Sequence, residues 1–143
     1  TYFAPRYTRT IDPDSGVDSA VTFLAPPFAP YDPEVDAAVQ RIGETLTIDN
    51  GGVIPGEAWP GDPDESWTAE TGWFALAAAG ADRPADVDHW LGWIADHRTE
   101  LGAIPEKVDA EGRPASVAPF AWTDAVVLLT LLAETGSLPP PPT

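Results

Sequence analysis

Proline is the feature that most limits how this chain can fold. Of its 143 residues 17 are proline and 12 are glycine. A proline inside a helix costs about 3 kcal/mol, through a lost hydrogen bond and a clash with the preceding turn, so helices are confined to the stretches between prolines. The first apolar stretch, Val17 to Leu24, has Asp14 or Ser15 as a cap and stops at Pro26-Pro27, which predicts a short helix. Asp32-Pro33-Glu34 then supplies an N-cap, a proline at the first helical position and an acid in the first turn. Val35, Val39, Ile42 and Leu46 follow at three-to-four spacing and predict an amphipathic helix.

Asp49 to Glu65 contains Asn50-Gly51-Gly52, Pro55-Gly56, Pro60-Gly61 and Asp62-Pro63, which is turn chemistry throughout. It predicts a long loop, kept ordered by Trp59 within it and Trp67 at its end. From Ser66 or Trp67 to Ala79 the chain is apolar on most faces, predicting a buried helix with Gly80 as its stop. Pro84 opens a more amphipathic helix, with Val87, Trp90, Leu91 and Ile94 on one face and Asp86, Asp88, Asp96 and Arg98 outward. A second long loop, Leu101 to Pro119, leads to a strongly apolar helix from Phe120 to Ala133, closed by Gly136. Residues 1–16 read as an irregular lead-in and 137–143 as a Pro-rich tail.

The order is therefore an all-α fold of about five helices, alternately apolar and amphipathic, with long loops at alternate joints. That alternation predicts two concentric layers, with the loops gathered at one end where a site can form. An ordinary five-helix bundle is the simpler alternative.

With 43% apolar residues and a mean hydropathy of -0.13, the chain has the makings of one globular domain. A net charge of -16 argues against nucleic acid and anionic membrane as partners. No apolar run approaches the ~20 residues of a spanning helix, and the first residues lack the basic-then-apolar order of a signal peptide. The expected location is the cytoplasm. Cysteine is absent, so neither a disulfide nor a thiolate metal site is available. Methionine is absent as well and the chain opens at Thr1, so a piece of a longer polypeptide is expected. Of the 23 acids 14 are Asp, and Lys107 is the single lysine among seven bases. This reads as a halophilic, acidic surface whose self-repulsion is screened as the Debye length shrinks to ~3 Å near 1 M salt.

The stretch GAIPEKVDAEGRPASVAPFAW resembles the catalytic-base segment of glycoside hydrolase family 15, the glucoamylase and glucodextranase family. In that family a Glu, commonly followed by Gln, precedes a loop and a Trp that opens the last barrel helix. DESWTAETGWFALAAAG resembles its Trp-led inner helix, and Val17 to Phe28 its inner helix ending in an apolar-Pro-Phe turn. Roughly residues 11 to 135 look like the C-terminal part of such an (α/α)6 barrel, the last part of a six-hairpin toroid. Two departures stand out. Lys107 occupies the place where Gln is usual, and Trp122-Thr123-Asp124 replaces Trp-Ser-His.

The resemblance implies a part of an inverting, exo-acting α-glucoside hydrolase, with no cofactor and no metal. In such hydrolysis one carboxylic acid protonates the leaving oxygen and a carboxylate about 6.5–9.5 Å away activates water. Glu106 is the implied base, and Lys107 beside it would favour the ionised form that a base requires. Sugar rings pack their C–H faces on indoles, which makes Trp122, Trp67 and Trp59, in or beside the long loops, the substrate-binding candidates together with Lys107. Trp73, Trp90 and Trp93, inside helices, read as core. Asp62, Asp64 and Glu65 read first as a solvated acidic turn, with binding of sugar hydroxyls or Ca²⁺ as the alternative, and His89 and His97, eight apart with no third ligand nearby, offer no metal site. No Trp-Glu-Glu string like the family's general acid occurs.

The expected partners are an α-linked glucan or glucoside and the remainder of the barrel, from preceding polypeptide or another chain. This piece alone is expected to be inactive, with inner helices near Val17–Leu24, Trp67–Ala79 and Phe120–Ala133 incompletely covered. The alternatives are a non-catalytic helical domain binding glycan or protein, and a salt-adapted bundle unrelated to the family. The family spans α-1,4-, α-1,6- and trehalose-cleaving enzymes, so the linkage stays open.

Overall fold

The computed structural model describes residues 7–139; residues 1–6 of the predicted lead-in and 140–143 of the predicted tail lie outside the described residues. Helix α1, Pro33–Leu46, begins as its sequence predicts. Asp32 Oδ1 accepts from the backbone N–H groups of Glu34 (2.8 Å) and Val35 (3.3 Å), and proline sits in the first turn. Its Val39, Ile42 and Leu46 are buried in one cluster with Val17, Val21, Ala25, Val53, Phe74 and Ala77.

Helix α2, Thr68–Gly80, is the centre of the fold, with every residue from Thr68 to Ala78 buried. Helix α3, Pro84–Asp96, and helix α4, Ala121–Glu134, both pack on it. Gly72 lets α4 approach, since a Cβ there would lie 2.8 Å from Val126 Cγ1. Helix α2 ends at Gly80, where the sequence predicts its stop, and the missing side chain of that glycine admits Pro26, 2.7 Å from where a Cβ would stand.

Two expectations change. Val17–Leu24 is not an α-helix but a 3₁₀ helix over Ser19–Leu24, capped by Asp18, whose Oδ1 accepts from Ala20 N–H at 3.0 Å. Val17 and Asp18 are held extended by bridges to Thr8 and Gly56, which leaves only the short stretch 19–25 before Pro26-Pro27, and it takes the tighter 3₁₀ turn used in short pieces. Asp14 and Ser15 belong instead to a separate short turn, Pro13–Ser15. The fold is also not purely helical. Strands β1 (Ser66–Trp67), β2 (Lys107–Val108) and β3 (Pro114–Ala115) form an antiparallel sheet in that order, with Trp67 opposite Lys107 and Lys107 opposite Ala115. The predicted loop Leu101 to Pro119 therefore contains a hairpin.

Helix α4 is turned in an unusual way. Its buried positions are Thr123, Val126 and Thr130, while Trp122, Leu128 and Leu131 stand 50%, 57% and 48% exposed. Phe23 and Leu24 of the 3₁₀ helix are similarly open. Leucines outward and threonines inward reverse the usual order for a helix whose outer side meets water.

Candidate active site

Glu106 follows buried Pro105 at the point where the second loop meets α2. Thr68, in the first turn of α2, holds this point from one side: its N–H donates to Glu106 O (3.0 Å) and its hydroxyl to Pro105 O (2.6 Å). The same hydroxyl pairs with Thr123 of α4 at 2.7 Å, so two helices fix one peptide. From the other side Glu106 N–H donates to Val117 O at 2.8 Å, and Phe120 N–H to Ile104 O at 2.9 Å. The carboxylate itself is half-buried, and its Oε2 accepts the hydroxyl of Ser116. Ser116 adopts φ +64°, a left-handed conformation that a non-glycine residue takes up only when its surroundings impose it.

The expected service of Lys107 to Glu106 is corrected. The Lys107 ammonium pairs with Glu65 at 3.0 Å and lies 4.6 Å from the centroid of the Trp67 ring. Cross-strand pairing explains this choice, because Trp67 and Lys107 stand directly opposite in the sheet. Trp59 meets Trp67 edge to face, with centroids 5.8 Å apart, so Trp59, Trp67 and Lys107 form one cluster. Trp122 belongs to a second aromatic group: it approaches Trp73 (6.3 Å) and Phe120 (6.2 Å), and Trp73 continues to Phe23 (4.9 Å) and Phe28 (5.8 Å). Trp73 and Trp93 are buried and Trp90 half-buried, as core positions should be.

Glu70 is the residue that the sequence reading passes over. It lies in the first turn of α2, 9% exposed, with Oε2 buried and without a hydrogen-bond partner. Burial pushes its carboxyl up from the ordinary 4.5 to about 7. A hydrogen bond from its own backbone N–H opposes the rise, and the charges of Asp18 and Glu106 add to it. A signal was present: Glu70 is the one charged residue in an otherwise apolar buried helix.

The remaining candidates fall outside the site. Asp62 Oδ1 accepts from Asp64 N–H at 3.0 Å in a self-contained turn, leaving only Glu65 of that trio to reach the cluster. His97 stacks on Trp93 and its Nδ1 is 2.7 Å from Trp93 O, while His89 packs on Trp90. Among the described residues no group of three or more His, Cys, Asp or Glu is placed to share a metal ion. A groove of about 400 Å³ between α1 and α3 is lined by Gly43, Glu44, Phe74, Arg83 and Trp90 among others, with none of the site candidates. No helix among the described residues is long and apolar enough to cross a membrane.

No protein-family model and no curated protein sequence matches this chain. Solved structures of glycosidases do. A wild-type glycosidase is 26% identical over 87% of this chain and 37% of its own, with a TM-score of 0.67. A Glu-to-Ala variant of a glycosidase, in complex with glucose, is 24% identical with the same coverage and TM-score. The chain thus has a glycosidase-like fold and spans little more than a third of the length of the structures it matches.

Proposed function

We propose that this chain is the base-bearing part of an inverting, exo-acting α-glucoside hydrolase of the glucoamylase-like kind, built as the later portion of an (α/α)6 barrel. Glu106 is its general base, taking a proton from the water that attacks the anomeric carbon. Trp122 stacks the sugar ring, and Trp59, Trp67 and Lys107 line the rim beside it. The remainder of the barrel covers the apolar side of α4 and brings the general acid. Glu70, 9% exposed, is too enclosed to protonate a leaving group itself.

The observation that carries this reading is the setting of Glu106. Its backbone is clamped by α2, α4 and the loop after the hairpin, its carboxylate has one side-chain partner among the described residues, and the fold is one that glycosidases share. A general base needs that rigidity together with room for one water. The outward Leu128 and Leu131 support the missing portion, because leucines half exposed along one helix face call for a covering element.

In the complete protein Glu106→Gln keeps the shape and removes the proton acceptor. Turnover on maltooligosaccharide, isomaltose or trehalose, whichever is cleaved, is expected to fall about 10²–10⁴-fold with KM little changed. Trp122→Ala is expected to raise KM at least as much as it lowers kcat. Near-normal turnover in Glu106→Gln would remove the base assignment and favour a non-catalytic glycan-binding module.

A further inference from the structure

Trp59 and Trp67 each carry a cation on the ring. Lys107 Nζ is 4.6 Å from the Trp67 centroid, and Arg9 Cζ is 5.9 Å from that of Trp59. Each cation is anchored on its far side by a carboxylate, Lys107 by Glu65 at 3.0 Å and Arg9 by Asp18 at 3.5 Å. With the two indoles meeting at 81°, the contacts run from Asp18 through Arg9, Trp59, Trp67 and Lys107 to Glu65. The backbone imposes this order through the Trp67–Lys107 strand pair and the Asp18–Gly56 bridge. Lys107, in that line, directly follows Glu106 in the chain.

A sugar stacks on an indole by laying its C–H surface on the π face, which is the surface that Lys107 already occupies. We infer that Lys107 is a specificity-determining residue: by holding the Trp67 face it makes that indole a wall instead of a stacking platform, and it restricts the site beside Glu106 to short α-glucosides. The inference rests on the glycosidase reading given above. Among the described residues Trp122 carries no such cation, so it stays open to a ring while Trp67 does not.

The test compares kcat/KM of the complete protein on the two-glucose and three-glucose substrates of the linkage it cleaves. Lys107→Ala is expected to raise the three-to-two ratio about fivefold, the factor equivalent to roughly 1 kcal/mol of cation–indole contact. Lys107→Arg, which keeps a cation on the ring, is expected to leave the ratio near that of the wild type. An equal loss on both substrates would mean that Lys107 grips the cleaved sugar, and an unchanged ratio would mean that the Trp67 face limits nothing; either overturns the inference. Should Lys107→Ala fail to fold, Glu65→Gln releases the anchor, and its ratio decides in the same direction. A wild-type protein that cleaves neither substrate overturns the glycosidase reading as well, and that outcome is visible before any variant is made.

Discussion

Glu70 carries a pH dependence that follows from its burial. Its carboxyl titrates near 4.5 unfolded and at about 7 folded, so between those values the folded state holds a proton that the unfolded chain has lost. Stability from this group is complete below about pH 4.5 and declines as pH rises through 7, by about 3 kcal/mol in total. Glu70→Gln removes the linkage. The difference in unfolding free energy between variant and wild type should therefore shift in the variant's favour by about 3 kcal/mol from pH 4.5 to pH 8. Urea melts at the two pH values measure this, and an equal difference at both would mean that the carboxyl is ionised and compensated in the fold. Glu106 and Trp122 stand out as candidates in the sequence because they lie in one recognisable string. Ser116, Arg9 and Asp18 do not, since each acts through a partner 9 to 50 residues away that no local pattern announces.

At the scale of elements, α1, α2, α3 and α4 were legible to within a residue or two, because proline, caps and apolar spacing all act locally. The 3₁₀ helix and the hairpin were not, since both are settled by distant backbone: Asp18 pairs with Gly56, and Lys107 with Trp67. The order of the first long loop has a similar cause. Asn50 Nδ2 donates to Asp109 O (2.9 Å) and Val108 O (3.3 Å), Asn50 Oδ1 accepts from Gly52 N–H (2.9 Å), and Asn50 O accepts from Trp93 Nε1 (2.9 Å). One side chain thus ties the loop to the hairpin that begins one residue after Glu106. Asn50→Ala leaves two carbonyls and an N–H without these partners, so a loss of about 1–3 kcal/mol is expected. Hydrogen exchange should locate the loosening at residues 107–115 and 50–53. Protection there equal to the wild type would mean that Trp93 and the strand pairing hold the loop unaided.

For the whole molecule the charge is the governing quantity. Twenty-three acids face seven bases, and four of the described bases are already paired with acids: Arg83 with Asp36 and Asp86, Arg113 with Asp109 and Glu111, Lys107 with Glu65 and Arg9 with Asp18. These pairs are mostly at the surface, where each contributes about 0–1 kcal/mol, so they do not offset a net charge of -16 spread over a 15.2 kDa chain. The compact state draws the carboxylates together, while the unfolded chain spreads them apart. Salt decides how much that difference matters, since the Debye length falls from about 30 Å at 0.01 M to about 3 Å at 1 M. The chain is therefore expected to hold its helices in molar KCl and to lose them below a few hundred millimolar. Helical circular dichroism and melting temperature across a KCl series read this directly. If both are the same in salt-free buffer, burial around α2 outweighs the repulsion unaided, and the acidic surface has no part in salt adaptation.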